Sequence, residues 1–180
     1  MPALYPYLIS SLPMLHFNMS APISFEKFLL LCRDSIPQDD RAVLENIPLR
    51  YEYEGRQETI KKIVAFEIML RNELVKVRAA RKKSDAAKYL RPDGYAGPAL
   101  YHLVLAALRN PSPLDAERSL DLERWDFLDG LSFGRYFDLD FLIIYAYKLL
   151  ILERWQRINS ADKGKLLDET LSQEGQNAGK

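Results

Sequence analysis

Between Arg56 and Lys83 the chain meets neither proline nor glycine, and its apolar residues return at the period of an α-helix. An uninterrupted rod of this kind, up to roughly 40 Å long at 1.5 Å per residue, must lie across most of any domain the chain can build. Wound at about 100° per residue, the stretch Ile60–Lys83 gathers Ile60, Ile63, Val64, Phe66, Leu70 and Leu74 into an apolar arc of roughly 200°. Lys61, Lys62, Asn72 and Lys76 fall on the other side. Glu67, Arg71 and Arg78 break the pattern by landing inside the arc.

A charge stranded on a buried face costs several kcal/mol, so these side chains must satisfy one another or meet a partner. Glu67 precedes Arg71 by four residues, the favourable order for a helical ion pair. The two are therefore expected to contact each other and the second long helix, with Lys148 or a tyrosine hydroxyl completing an internal network. The alternative is that another protein covers this face. Arg78 continues the same side toward Arg81, Lys82 and Lys83, a cluster that answers the helix dipole while remaining solvated.

The second long element is "LDFLIIYAYKLLILERWQRIN", capped by Asp138 and expected to end at Asn159. Its apolar residues cover nearly the whole circumference, the mark of a helix buried on most sides. Shorter helices surround the pair. Ser24 caps "FEKFLLLC", and Pro37 with Asp39 and Asp40 opens a brief second helix. Pro98 starts "ALYHLVLAALRN", and Ser112-Pro113 begins an acidic helix that Gly130 is expected to stop. Ser160 is expected to cap a last short helix.

Residues 1–23 hold four of the ten prolines, which predicts an irregular or extended segment laid over the domain. The expected organisation is this segment, a single all-α domain over 24–172 with two long core helices, and a frayed tail over 173–180. "RPDGYAGP", from Arg91, is loop chemistry and the nearest thing to a boundary.

A length of 180 residues suffices for one sizeable core. Lys plus Arg equals Asp plus Glu at 25 each, so no overall field draws the chain to nucleic acid or to an anionic membrane. The single cysteine, Cys32, lies in the apolar run "FLLLC" and fits a reducing, cytoplasmic setting. The amino end lacks the basic region of a signal peptide, and Leu139–Leu152 is too short to span a bilayer.

Motifs for catalysis are missing. His16 and His102 stand in no metal-binding spacing, and neither a phosphate-cradling glycine loop nor a nucleophile elbow occurs. The expected set therefore holds no metal, no cofactor and no catalytic residue. Asp115, Glu117, Asp121, Glu123, Asp126 and Asp129 offer carboxylates for acid–base work, but a solvated helical face accounts for them better. Trp125 and Trp155 read as core or interface anchors.

The opening "YPYLISSLPMLHF", the run "ISFEKFLLLCRDSIPQDD", the helix "FEIMLRNELVKVRAARKK" and "WDFLDGLSFGRYFDLDFLIIYAYKLLILERW" together resemble an uncharacterised bacterial family encoded beside V-type (A-type) ATPase genes. That family is similar to the ATPase C subunit, called subunit d in eukaryotic enzymes. The resemblance runs over most of residues 5 to 170. It implies an all-helical, non-catalytic socket between the rotor stalk and the membrane proteolipid ring, partnered by those subunits and peripheral to the cytoplasmic membrane through protein contacts. By the same implication Glu67, Arg71, Asn72 and Arg78 occupy a charged-helix motif, and Asp138, Asp140, Tyr145, Lys148, Arg154 and Trp155 a long-helix motif. A full C subunit is roughly twice as long, beyond one typical domain, so this chain would supply only part of such a socket. Apart from the resemblance, the same helices suit a free-standing interaction module.

Overall fold

The computed structural model describes residues 3–47, 53–92 and 98–177; for 98 and 162–177 the description is of the backbone alone. Most of "RPDGYAGP" lies outside these residues. The all-α expectation holds: seven α-helices and one 3₁₀ turn, with no strand among the described residues. The helices are α1 (Pro6–Ser11), α2 (Phe25–Arg33), α3 (Gln38–Glu45), α4 (Glu58–Lys82), α5 (Pro98–Arg109), α6 (Pro113–Ser132) and α7 (Leu139–Asn177).

The caps are formed by the residues that the sequence marks. Ser24 Oγ accepts from the Lys27 amide at 3.1 Å, and Ser112 Oγ from the Asp115 amide at 3.2 Å. Asp138 Oδ1 accepts from the Phe141 amide at 3.0 Å. Gln57 starts α4 by taking the Thr59 and Ile60 amides on its side-chain oxygen, and Lys83 ends it in the left-handed region at φ 51°.

Three boundaries differ from expectation. The segment over 1–23 is not wholly extended, because Pro6 at a first-turn position starts a six-residue helix whose Leu8 and Ile9 are buried. Gly130 does not stop α6, which continues to Ser132; Gly134, at φ 78°, makes the turn. Ser160 caps nothing: its hydroxyl donates back to the Gln156 carbonyl inside α7, which runs on to Asn177. Residues 173–177 of the expected tail are thus helical, and 178–180 lie outside the described residues.

Five successive residues of α7, Leu142 to Ala146, are buried, so the helix is enclosed on every side there. They form one core with α1, α2, α3 and the first turns of α4. A second core gathers Phe66, Leu70 and Val77 of α4 with Val104 and Ala107 of α5 and Leu120 of α6. Phe127 of α6 packs against both, its ring stacked on Phe66 at 4.0 Å between centroids. α4 accordingly packs into the α7 core mainly through its first turns, and against α5 and α6 beyond them.

The chain before α2 is strapped to the far end of the sequence. The Tyr5 amide donates to the Phe137 carbonyl at 2.6 Å, and the Tyr145 hydroxyl to the Pro13 carbonyl at 2.9 Å. Arg118 Nη2 reaches Asn18 Oδ1 at 2.8 Å. Glu153 accepts from the Phe25 amide at 2.7 Å, placing a carboxylate at the positive end of α2.

Candidate functional site

α6 carries Glu117, Asp121 and Arg124 at a spacing of four and three residues, which sets them along one side of the helix. Asp121 belongs to the apolar stripe of α6, four before Trp125 and seven before Leu128, both buried. α7 presents Tyr147, Arg154 and Trp155 toward the same place, and α4 presents Glu67.

These residues form a continuous chain of charge-assisted bonds. Arg124 spans Glu67 through Nε to Oε1 at 2.7 Å and Nη2 to Oε2 at 3.3 Å, the paired geometry that suits guanidinium and carboxylate. Its remaining arm reaches Asp121 Oδ1 at 2.8 Å. Arg154 gives one nitrogen to that same oxygen at 3.1 Å and another to Glu117 at 2.9 Å. The Trp155 indole N–H closes the set on Asp121 Oδ2 at 2.8 Å, with Arg118 lying over the indole ring.

Asp121 is fully buried, at 0% exposure, and accepts from three donors. Burial by itself would lower the Arg124 pKa, but the charges of Glu67 and then Asp121 outweigh it and raise the pKa, so the guanidinium stays protonated. Tyr147 borders the same hollow; burial, then the Glu67 and Tyr53 charges, push its phenol pKa up. The chemistry on offer is that of a brace: three helices fastened by neutralised charge.

The expected network is therefore only partly the real one. Glu67 is a hinge point of it, but both its oxygens go to Arg124 of α6. Arg71 and Arg78 do not sit on a buried face; both are exposed and line a hollow beside Glu67. Lys148 is elsewhere, paired with Asp129 and 5.0 Å from the Trp125 ring centroid. Asn72, placed opposite the apolar arc, is 3% exposed; its side-chain amide donates to the Arg91 carbonyl at 2.9 Å and accepts the Arg91 amide at 3.0 Å. A primary amide meets a backbone N–H and C=O in this way as another peptide group would.

The long-helix residues divide similarly. Arg154 and Trp155 join the brace. Asp138 caps α7, and Asp140 gathers Thr59 Oγ1 at 2.7 Å together with Gln57 and Arg135, tying the starts of α4 and α7. Tyr145 stacks on Phe28 at 5.3 Å, and burial pushes its phenol pKa up to about 12. Arg124 and Asp121 were missed at the centre, since the acidic face of α6 reads as solvated. Asp121 could have been found by the test that singled out Glu67, an acid inside an apolar stripe.

Among the described residues no group of His, Cys, Asp and Glu is placed to hold a metal ion, and no helix is long and apolar enough to cross a membrane. Residues 100–174 match the model of a family described as "Protein of unknown function (DUF2764)". The match takes in α6 and the α7 half of the brace, and leaves Glu67 outside it. No curated protein and no solved structure matches the chain.

Proposed function

We propose that this chain is a non-catalytic, all-α adaptor of a bacterial V-type (A-type) ATPase, a reduced counterpart of the C subunit that helps join the rotor stalk to the proteolipid ring. The adaptor part rests on one observation: the carboxylates of the polar cluster are already engaged. Both oxygens of Glu67 and both of Asp121 accept from guanidinium or indole N–H groups. Acid–base catalysis needs a carboxylate oxygen within hydrogen-bond reach of a substrate proton, and these four oxygens are already taken up by donors of the same chain. The same bonds stiffen α4, α6 and α7 against one another, the property an adaptor needs to carry load.

The ATPase part is supported by the resemblance over most of residues 5 to 170, which implies that charged positions of the α4 and α7 stretches occupy that family's motifs. Attachment to the membrane is through protein contacts in this reading. Purification of the tagged protein from native membranes tests it: rotor-stalk and ring subunits are expected to co-purify. A deletion strain whose ATPase assembles and couples normally would overturn it.

Tyr7 at 90% and Phe133 at 86% exposure favour a second reading, a free-standing interaction module that offers exposed aromatic side chains to an unrelated partner. Genes for ATPase subunits flanking this one support the first reading; their absence supports the second.

A further inference from the structure

Two adjoining hollows open along one side of α4. The first, about 340 Å³, is walled by Ile63, Phe66, Phe127, Leu150 and Ile151. The second, about 350 Å³, has Leu74, Val75 and Leu120 as its apolar part. Glu67, Arg124 and Arg154 line both, so the two are lobes of one groove that follows α4 from Ile63 to Arg78, about 22 Å at 1.5 Å per residue.

The groove carries a positive excess. Leaving aside Arg71, which has a further contact of its own, the lining acids are Glu67, Glu117 and Asp121 and the lining bases Arg78, Arg124, Arg154 and Arg157, so four minus three leaves one. The acids are held by Arg124 and Arg154. Arg78 and Arg157, one in each lobe, make no ion pair among the described residues, and both are exposed.

We propose that this groove receives an acidic amphipathic helix of a partner protein. A helix of roughly fifteen residues matches its length, with apolar side chains at i, i+3, i+4 and i+7 entering the two lobes. Acidic side chains flanking that stripe then meet Arg78 and Arg157, and a basic helix is repelled. The inference deepens the adaptor reading and rests on it, but not on which machine the partner belongs to.

A fluorescein-labelled peptide of roughly fifteen residues, leucine at that helical spacing and glutamate between, serves as the probe. Titrated with the full chain, it is expected to bind saturably and more weakly as salt rises. The same peptide with lysine for glutamate, and a scrambled one of the same composition, are expected not to bind. The double variant R78E/R157E alters exposed positions, should melt as the wild type does, and is expected to weaken binding by about tenfold or more. Lack of binding by the glutamate peptide, equal binding by the lysine or scrambled peptide, or full affinity in a folded R78E/R157E chain would each overturn the proposal. Run through the membrane purification, the tagged variant should lose subunits that the wild type retains; a wild type that brings down none removes the ATPase reading and leaves the peptide result to judge the groove.

Discussion

Arg124→Met should be among the most damaging single substitutions on the surface of this protein that faces the groove. Among the described residues the guanidinium is the one group bonded to both Glu67 and Asp121, at 2.7 and 2.8 Å. Breaking a buried ion pair from one side costs about 3–5 kcal/mol, because the partner's charge remains without compensation. Two features reduce the figure here. Asp121 keeps Arg154 and Trp155, and the Glu67 side chain, 25% exposed, regains some water. We expect about 3 kcal/mol, near the lower edge of that range. For a chain of this size that lowers Tm by roughly 6–12 °C, and the urea midpoint falls accordingly. Adding Glu67→Gln should recover part of the loss by removing the stranded carboxylate. Arg71→Met, at an exposed position, should cost less than about 1 kcal/mol. Were Arg71→Met the costlier of the two in paired urea melts, the helix-local pairing would be right and the Arg124-centred brace wrong.

Asn72→Ala removes both hydrogen bonds that hold the backbone at Arg91, and should cost about 2 kcal/mol while speeding amide exchange over residues 84–92; unchanged exchange there would show that the segment is held by other means. The Glu123 carboxyl has a raised pKa, from burial first and the Asp126 charge second, so the folded state binds its proton more tightly than the unfolded one. Its destabilising contribution is then complete above the folded pKa and fades as pH falls toward the unfolded value, so Glu123→Gln should raise Tm at neutral pH and leave it unchanged in acid. Gly134→Ala meets no steric neighbour for its Cβ, yet its φ of 78° should cost about 1 kcal/mol in a thermal melt.

Most of the helical framework is legible in the sequence because its signals are local. An oxygen-bearing side chain before an apolar run marks Ser24 and Asp138 as caps, Ser112-Pro113 marks the start of α6, and the unbroken apolar girth of Leu142–Ala146 announces a buried centre. The site was less legible for a geometric reason. A helical wheel assumes one buried direction for the whole length, whereas α4 turns Ile60, Ile63 and Val64 to one core and Phe66, Leu70 and Val77 to another. Averaging the two directions put Arg71 and Arg78 inside the arc and Asn72 outside it. Glu67 stood out correctly as anomalous, but its partner lies 57 residues away on a different helix, and no spacing rule reaches that far. A serine or glycine is also an ambiguous boundary signal: Ser160 and Gly130 both ride inside helices that continue past them.

The strap has a consequence for how the chain matures. Pro13 is held by a residue 132 positions later, and the first amide of α2 by one 128 positions later. During synthesis, which delivers residues in order, these early segments can pack on one another and on α4, but the bonds that strap them down cannot form until α7 has left the ribosome. Leu8, Ile9 and Phe28, which end in the same core as α7, must wait with part of their apolar surface uncovered. Such late ring closure slows folding and lengthens the time that aggregation-prone apolar surface stays open on the nascent chain.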